Sequence, residues 1–322
     1  MKKFLYLSCI IAAVMLLLPL SVIDKSEKTV VAAALQGNIA DVKKENSTSF
    51  KVCDGETGEI TEITTEDYIF GVVAAEMPAL YEEEALKAQA VAAYTFACVR
   101  KAENTDKSYD ITTDHTTDQS FITEADARKK WGDKSDEYTE KIKNAVKDTS
   151  GYMITYNGKP ITSVYHAISG GKTEDAKDVW GVELKYLKPV TSEGDKLSSD
   201  YISEVTFTAD ELKKKLSDEL ELSGEEKSYF GNSSRTDSGM VQKITVCGKE
   251  ITGARLRSLL GLRSSNFEIK YSDSKFKFTV YGYGHGVGMS QNGANYMAKQ
   301  GSNFKEILTW YYTDCKVEKV TS

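Results

Sequence analysis

Ala88-Gln89-Ala90-Val91-Ala92-Ala93-Tyr94-Thr95-Phe96-Ala97-Cys98-Val99 is apolar on almost every side of a helical wheel. A helix that is hydrophobic all round has no face to give to water, so it belongs in the middle of a core. The spacing predicts a helix over residues 82–100. Its first turns, with Glu82, Glu83, Glu84 and Lys87, reach solvent, and its remainder is central and buried.

Just upstream lies Tyr68-Ile69-Phe70-Gly71-Val72-Val73-Ala74-Ala75-Glu76-Met77-Pro78. Thr64 with Asp67 three residues on makes a capping-box-like start for a helix here. Pro78, which has no N–H to donate, ends that helix after Met77. Glu76 is thus a carboxylic acid at a helix C-terminus among apolar neighbours. Desolvation penalises the ionised carboxyl, and the negative end of the helix dipole does the same. Both effects favour a protonated side chain, the form a general acid needs. The plain alternative is a structural carboxylate bonded to nearby amides.

The chain has 322 residues, 40% hydrophobic and 28% charged, enough for a sizeable core. Its net charge is −7, and no Lys/Arg stripe is present, so nucleic acid is not an expected partner. Residues 4–23 form an apolar run after Lys2 and Lys3, long enough to span a bilayer with the remainder outside. The competing reading is a cleaved signal peptide ending near Ala32-Ala33-Ala34. Either way the bulk of the chain is exported. We expect a transmembrane anchor at 1–23, a polar stalk at 24–48, and one extracytoplasmic domain at 49–322. The cysteines are scattered and form no CxxC, so free thiols are expected.

Beyond the two helices, one or two helices are expected over 124–146. A hairpin is expected at 152–166 around the Asn157-Gly158 turn, and a helix over 208–216. Residues 221–240 read as a loop, 241–246 as a strand, and 252–260 as a helix capped by Gly261. A second hairpin spans 267–283. Further helices are expected over 289–299 and from the Asn303 cap through Tyr312. The order lacks βαβ alternation. The fold class is α+β: a single irregular mixed domain with hairpins, a central buried helix and a substrate groove.

Two further segments offer polar chemistry. Tyr281-Gly282-Tyr283-Gly284-His285-Gly286-Val287-Gly288-Met289-Ser290-Gln291-Asn292-Gly293 places four alternating glycines around His285. Such a loop lets a ligand approach the backbone, with His285, Ser290 and Gln291 offering side-chain hydrogen bonds. It is neither a dinucleotide fingerprint nor a GxSxG elbow, which disfavours an esterase at Ser290. Tyr165-His166-Ala167-Ile168-Ser169-Gly170-Gly171-Lys172-Thr173-Glu174 is not a P-loop, because His166 stands where the first glycine is required. It offers His166 and Ser169 to a cleft, or is an ordinary strand exit. His115, His166 and His285 match no metal-ligand spacing, so no metal and no cofactor are expected.

Taken together, these segments resemble the stage II sporulation protein D family, the exported lytic transglycosylases of spore-forming bacteria. The resemblance covers residues 50–318. It rests on the runs 67–78, Ala85 through Ala93, and Ser169 through Glu174. It rests also on Asp178-Val179-Trp180-Gly181 with Tyr186-Leu187-Lys188, on Leu256 through Ser264, and on Gly284 through Gln291. Gly293-Ala294, Ile307-Leu308 and Tyr311-Tyr312 complete it.

The resemblance implies that Glu76, from the Glu-Met-Pro motif, is the catalytic acid. It implies peptidoglycan as substrate, cleaved between N-acetylmuramic acid and N-acetylglucosamine after an amidase has removed the stem peptides. It places the protein in the mother-cell membrane during engulfment of the forespore, with the wall amidase and a membrane protein as partners. His166, Ser169, His285, Ser290 and Gln291 are then the residues that would position the sugar. Tyr94 stands where the family commonly has Arg, and Asn292 where it often has Tyr or Trp. Some members resemble zinc proteins through cysteines near residues 106–118, where this chain has Thr112, His115 and Asp118 without a thiol. A related group, the amidase enhancers, shares the domain and binds rather than cuts.

Overall fold

A computed structural model describes residues 48–114 and 116–319. The expected anchor, the stalk up to residue 47, and His115 lie outside the described residues. Among the described residues no helix is long and apolar enough to cross a membrane.

Strands β1 (Ser49–Cys53) and β2 (Ile60–Thr64) pair antiparallel and lead into helix α1 (Thr65–Glu76). The Thr64 hydroxyl accepts from the Asp67 N–H and donates to the Asp67 carboxylate, which fixes the start of α1. Helix α2 (Glu83–Glu103) follows, and β3 (Ile111–Thr112) joins β1 in parallel. Residues 85 to 100 of α2 are buried apart from Lys87. Helix α1, helix α4 (Ser135–Asp148) and strand β4 (Tyr152–Tyr156) pack on α2, as do helices α8 (Gln291–Lys299) and α9 (Phe304–Tyr311). The central helix expected from the apolar run is therefore present. Helix α3 (Glu124–Trp131) precedes α4 and covers the end of α1.

The hairpin after β4 needs correction. Asn157 and Gly158 take positive φ of 51° and 78°, as the turn requires, but the return strand β5 is only Lys159–Pro160. Pro160 has no N–H to extend the ladder. Beyond it, β6 (Tyr165–His166) leaves and pairs in parallel with β13 (Met289–Ser290). The other side of β4 is taken by β14 (Lys316–Lys319). This exchange carries His166 to the glycine loop.

Helix α5 (Ala176–Trp180) closes the first half. Strands β7 (Ile202–Thr208), β8 (Phe230–Arg235), β9 (Val241–Val246), β10 (Lys249–Thr252), β11 (Phe267–Ser272) and β12 (Lys275–Tyr281) then make two three-stranded sheets. Helices α6 (Ala209–Leu216) and α7 (Gly253–Leu260) pack with them. Strand β8 lies inside the segment read as a loop. Its Gly-Asn-Ser-Ser run is exposed and carries no apolar alternation, so only pairing with β9 reveals it. The fold is mixed α+β, as expected, but its buried apolar residues form two clusters. One surrounds α2. The other, with Phe207, Leu212, Phe276 and Phe278 at its centre, belongs to residues 207–280.

Candidate active site

Glu76 is the last residue of α1. Met77 turns to extended backbone, and the carboxylate emerges half-buried into a groove of about 540 Å³. That size suits a small ligand or one segment of a polymer. Asp118, His166, Trp180, Tyr283 and Gln291 line the same groove.

Donors among the described residues reach the carboxylate. The Ser120 N–H meets Oε1 at 3.1 Å, and Gln291 Nε2 lies 3.5 Å from Oε2. The Gln291 amide also faces Gln89 Oε1 at 3.4 Å, and Gln89 is fully buried in α2. The segment bearing Ser120 can lie this close because α1 has Gly71 beneath it. A Cβ on Gly71 would stand 2.3 Å from the Phe121 ring and 2.5 Å from the Ile122 carbonyl. Gln119 then bridges the buried Tyr68 phenol and the partly buried Tyr165 phenol, accepting from Tyr68 at 3.3 Å and donating to Tyr165 at 3.0 Å. Burial holds both phenols well above their ordinary pKa, and the charge of Glu76 adds to the effect. Both therefore remain neutral.

Asp118, a groove residue that the sequence reading left unassigned, is committed elsewhere. It pairs with Arg100 and accepts the Thr112 N–H at 2.9 Å. Burial raises its pKa and Arg100 opposes the rise. The half-buried Glu76 and the ion-paired Asp118 thus occupy different environments in one cleft.

The glycine loop departs from its expected use. Gly282, Gly284, Gly286 and Gly288 all have positive φ, and the close approach they permit is by the protein's own chain. A Cβ on Gly288 would stand 2.1 Å from the Val164 carbonyl, and one on Gly284 2.9 Å from the His166 Cβ. The loop is a clasp around the 164–169 segment, and its Tyr283, Gly284 and His285 also line the groove.

Both nitrogens of His285 serve the main chain. Nδ1 accepts the Val287 N–H at 3.1 Å, and the ring donates its remaining N–H to the Tyr165 carbonyl. Desolvation, with His166 beside it, lowers the His285 pKa to about 3, so the ring is neutral at any ordinary pH. His285 still walls the groove, 5.0 Å from the Trp180 ring and 5.7 Å from the His166 ring. His166 is buried and donates Nδ1–H to the Val287 carbonyl at 3.1 Å.

Ser169 and Ser290 lie apart from the groove lining. Both hydroxyls donate to the buried carboxylate of Asp195, at 2.5 Å and 2.7 Å. Asn292 Nδ2 adds a third side-chain donor at 3.2 Å, and Ser290 also caps α8 by accepting the Gly293 N–H. Their polarity is spent on an internal joint. Tyr94 is buried in α2 and does not line the groove.

Glu174 is another buried acid outside the groove. Burial raises it to about 7, against hydrogen bonds from the Thr236 hydroxyl and the Met240 N–H. Its own N–H donates to the Gly286 carbonyl at 2.8 Å, so it ties the glycine loop to the 236–240 turn. Among the described residues no cluster of His, Cys, Asp or Glu has the arrangement to hold a metal ion.

Fold and groove define a mixed α+β protein with a half-buried carboxylate in a cleft of about 540 Å³. A family profile described as "Stage II sporulation protein" matches residues 53–156. The chain is 35% identical to stage II sporulation protein D of Bacillus subtilis, over 99% of this chain and 96% of that one. It is 36% identical to the Bacillus amyloliquefaciens protein of the same name, over 87% of this chain and 81% of that one. An amidase enhancer of Bacillus subtilis is 30% identical over 75% of this chain and 39% of its own length. The chain belongs to the stage II sporulation protein D family.

Proposed function

We propose that this protein is a lytic transglycosylase acting on peptide-stripped peptidoglycan during sporulation, with Glu76 as its acid and base. The observation that carries the reading is the Glu76 carboxylate, half-buried at the end of α1 and facing Gln291 across the groove.

Protonated Glu76 gives its proton to the glycosidic oxygen as the C1–O bond breaks. Positive charge develops at C1 of the muramic acid. The C6 hydroxyl of the same sugar attacks C1, and its proton passes to the Glu76 carboxylate. The product is a 1,6-anhydro ring, and the enzyme is regenerated. Because the nucleophile belongs to the substrate, the second carboxylate of ordinary glycosidases has no task. That fits an Asp118 tied to Arg100. Gln291 holds the Glu76 carboxylate, while His166, His285 and Trp180 wall the sugar.

In this reading residues 1–23 anchor the chain in the cell membrane, the described residues lie outside it, and a wall amidase and a membrane protein are its partners. The test is to digest amidase-treated glycan with the full chain and weigh the products. Anhydro ends support the reading, and reducing ends one water heavier overturn it.

The similarity to an amidase enhancer favours one alternative, a non-catalytic wall-binding protein. Glycan retained on the protein without any change in its mass distribution would select that alternative.

A further inference from the structure

His166 Nε2 is buried and has no hydrogen-bond partner among the described residues. The rest of the ring is fully committed. Because the Val287 carbonyl can only accept, Nδ1 must carry the proton of the neutral imidazole, leaving a lone pair on Nε2. Burial lowers the His166 pKa, and Asp195 only partly offsets this, so the lone pair persists at neutral pH. His166 is among the residues that line the groove, with Glu76 and Gln291. An unsatisfied buried acceptor is costly to keep. Hydrogen bonds at such sites commonly form only when substrate settles.

We infer that His166 Nε2 is a preformed acceptor for a sugar hydroxyl in the groove. A hydroxyl suits it better than an acetamido N–H. The O–H rotates about its C–O bond to find a shielded lone pair, whereas the amide N–H is held in a plane. His166 is then a positioning residue, and His285, with both nitrogens on the main chain, holds the wall behind it. The inference rests on the glycan reading above.

Two variants separate the two ring nitrogens. In His166→Asn the amide nitrogen replaces Nδ1, preserving the tie to Val287 and removing the buried Nε2 acceptor. In His166→Gln the amide oxygen reaches the place of Nε2, preserving the acceptor and losing the tie. Binding of amidase-treated glycan to the full chain is measured with Glu76→Gln in every sample, so that nothing is cleaved. His166→Asn is expected to bind roughly fivefold more weakly at unchanged melting temperature, the loss of one neutral hydrogen bond, and His166→Gln to bind within about twofold of the parent. The ¹⁵N resonance of His166 Nε2 is expected to move when glycan is added. Asn binding like the parent while Gln loses both binding and stability overturns the inference, because the ring is then only a tether. A parent chain that binds no glycan overturns the functional reading itself, and this inference with it.

Discussion

The Ser120 N–H donates to Glu76 Oε1 at 3.1 Å across 44 positions of sequence, and it does so because Gly71 leaves room for Phe121. The placement of the acid therefore depends on a hydrogen atom where every other residue has a Cβ. Gly71→Ala would drive a methyl group into the Phe121 ring. Overpacking of this kind costs about 1–3 kcal/mol. We expect a lower melting temperature and a larger fractional loss of glycan cleavage, since the Ser120 segment must retreat from Glu76. Unchanged cleavage in a variant of native stability would show that the contact is dispensable.

Glu76→Gln keeps the shape of the side chain and removes its proton chemistry. General acid catalysis contributes about 10²–10⁴ in rate. Cleavage should fall by at least that lower bound while the melting temperature and glycan binding hold. Product-release assays beside thermal unfolding check both halves.

Asp195 receives the hydroxyls of Ser169 and Ser290 and the amide of Asn292 in a fully buried joint. Asp195→Ala would strand those donors, at a cost of about 3 kcal/mol or more. Ser169→Ala and Ser290→Ala should each cost about 1 kcal/mol in denaturant unfolding and leave glycan affinity unchanged. Loss of affinity without loss of stability would return these serines to the substrate.

Glu174 makes stability depend on pH. Its pKa is about 7 in the fold against an ordinary 4.5. Between those values the folded chain holds a proton that the unfolded chain has released, so stability falls as pH rises. The full span amounts to about 3 kcal/mol, present below pH 4.5 and lost by about pH 7. Urea unfolding at a series of pH values should show this slope in the native chain and a weaker one in Glu174→Gln. Equal slopes would place the pH dependence in other groups.

Much of the scaffold was legible in the chain. The apolar run 88–99 could only be a buried helix. Thr64, Pro78, Asn157-Gly158, Gly261 and Asn303 marked ends and turns by local rules of backbone geometry, and all five sit where those rules put them. Strand β8 was not legible, because its exposed residues owe their conformation to β9 rather than to any pattern of their own.

Local chemistry also singled out Glu76, because an acid among apolar residues at a helix end is unusual wherever the chain goes. The partners of the polar side chains were decided by the tertiary structure alone. His285, Ser169 and Ser290 were equal candidates on residue type, yet packing spends them on main chain and on Asp195, while Asp118, Trp180 and His166, with one buried nitrogen left unpartnered, come to the groove. Sequence specifies which groups can form hydrogen bonds. Contacts between residues tens to hundreds of positions apart determine which of those groups are still unpaired when a ligand arrives.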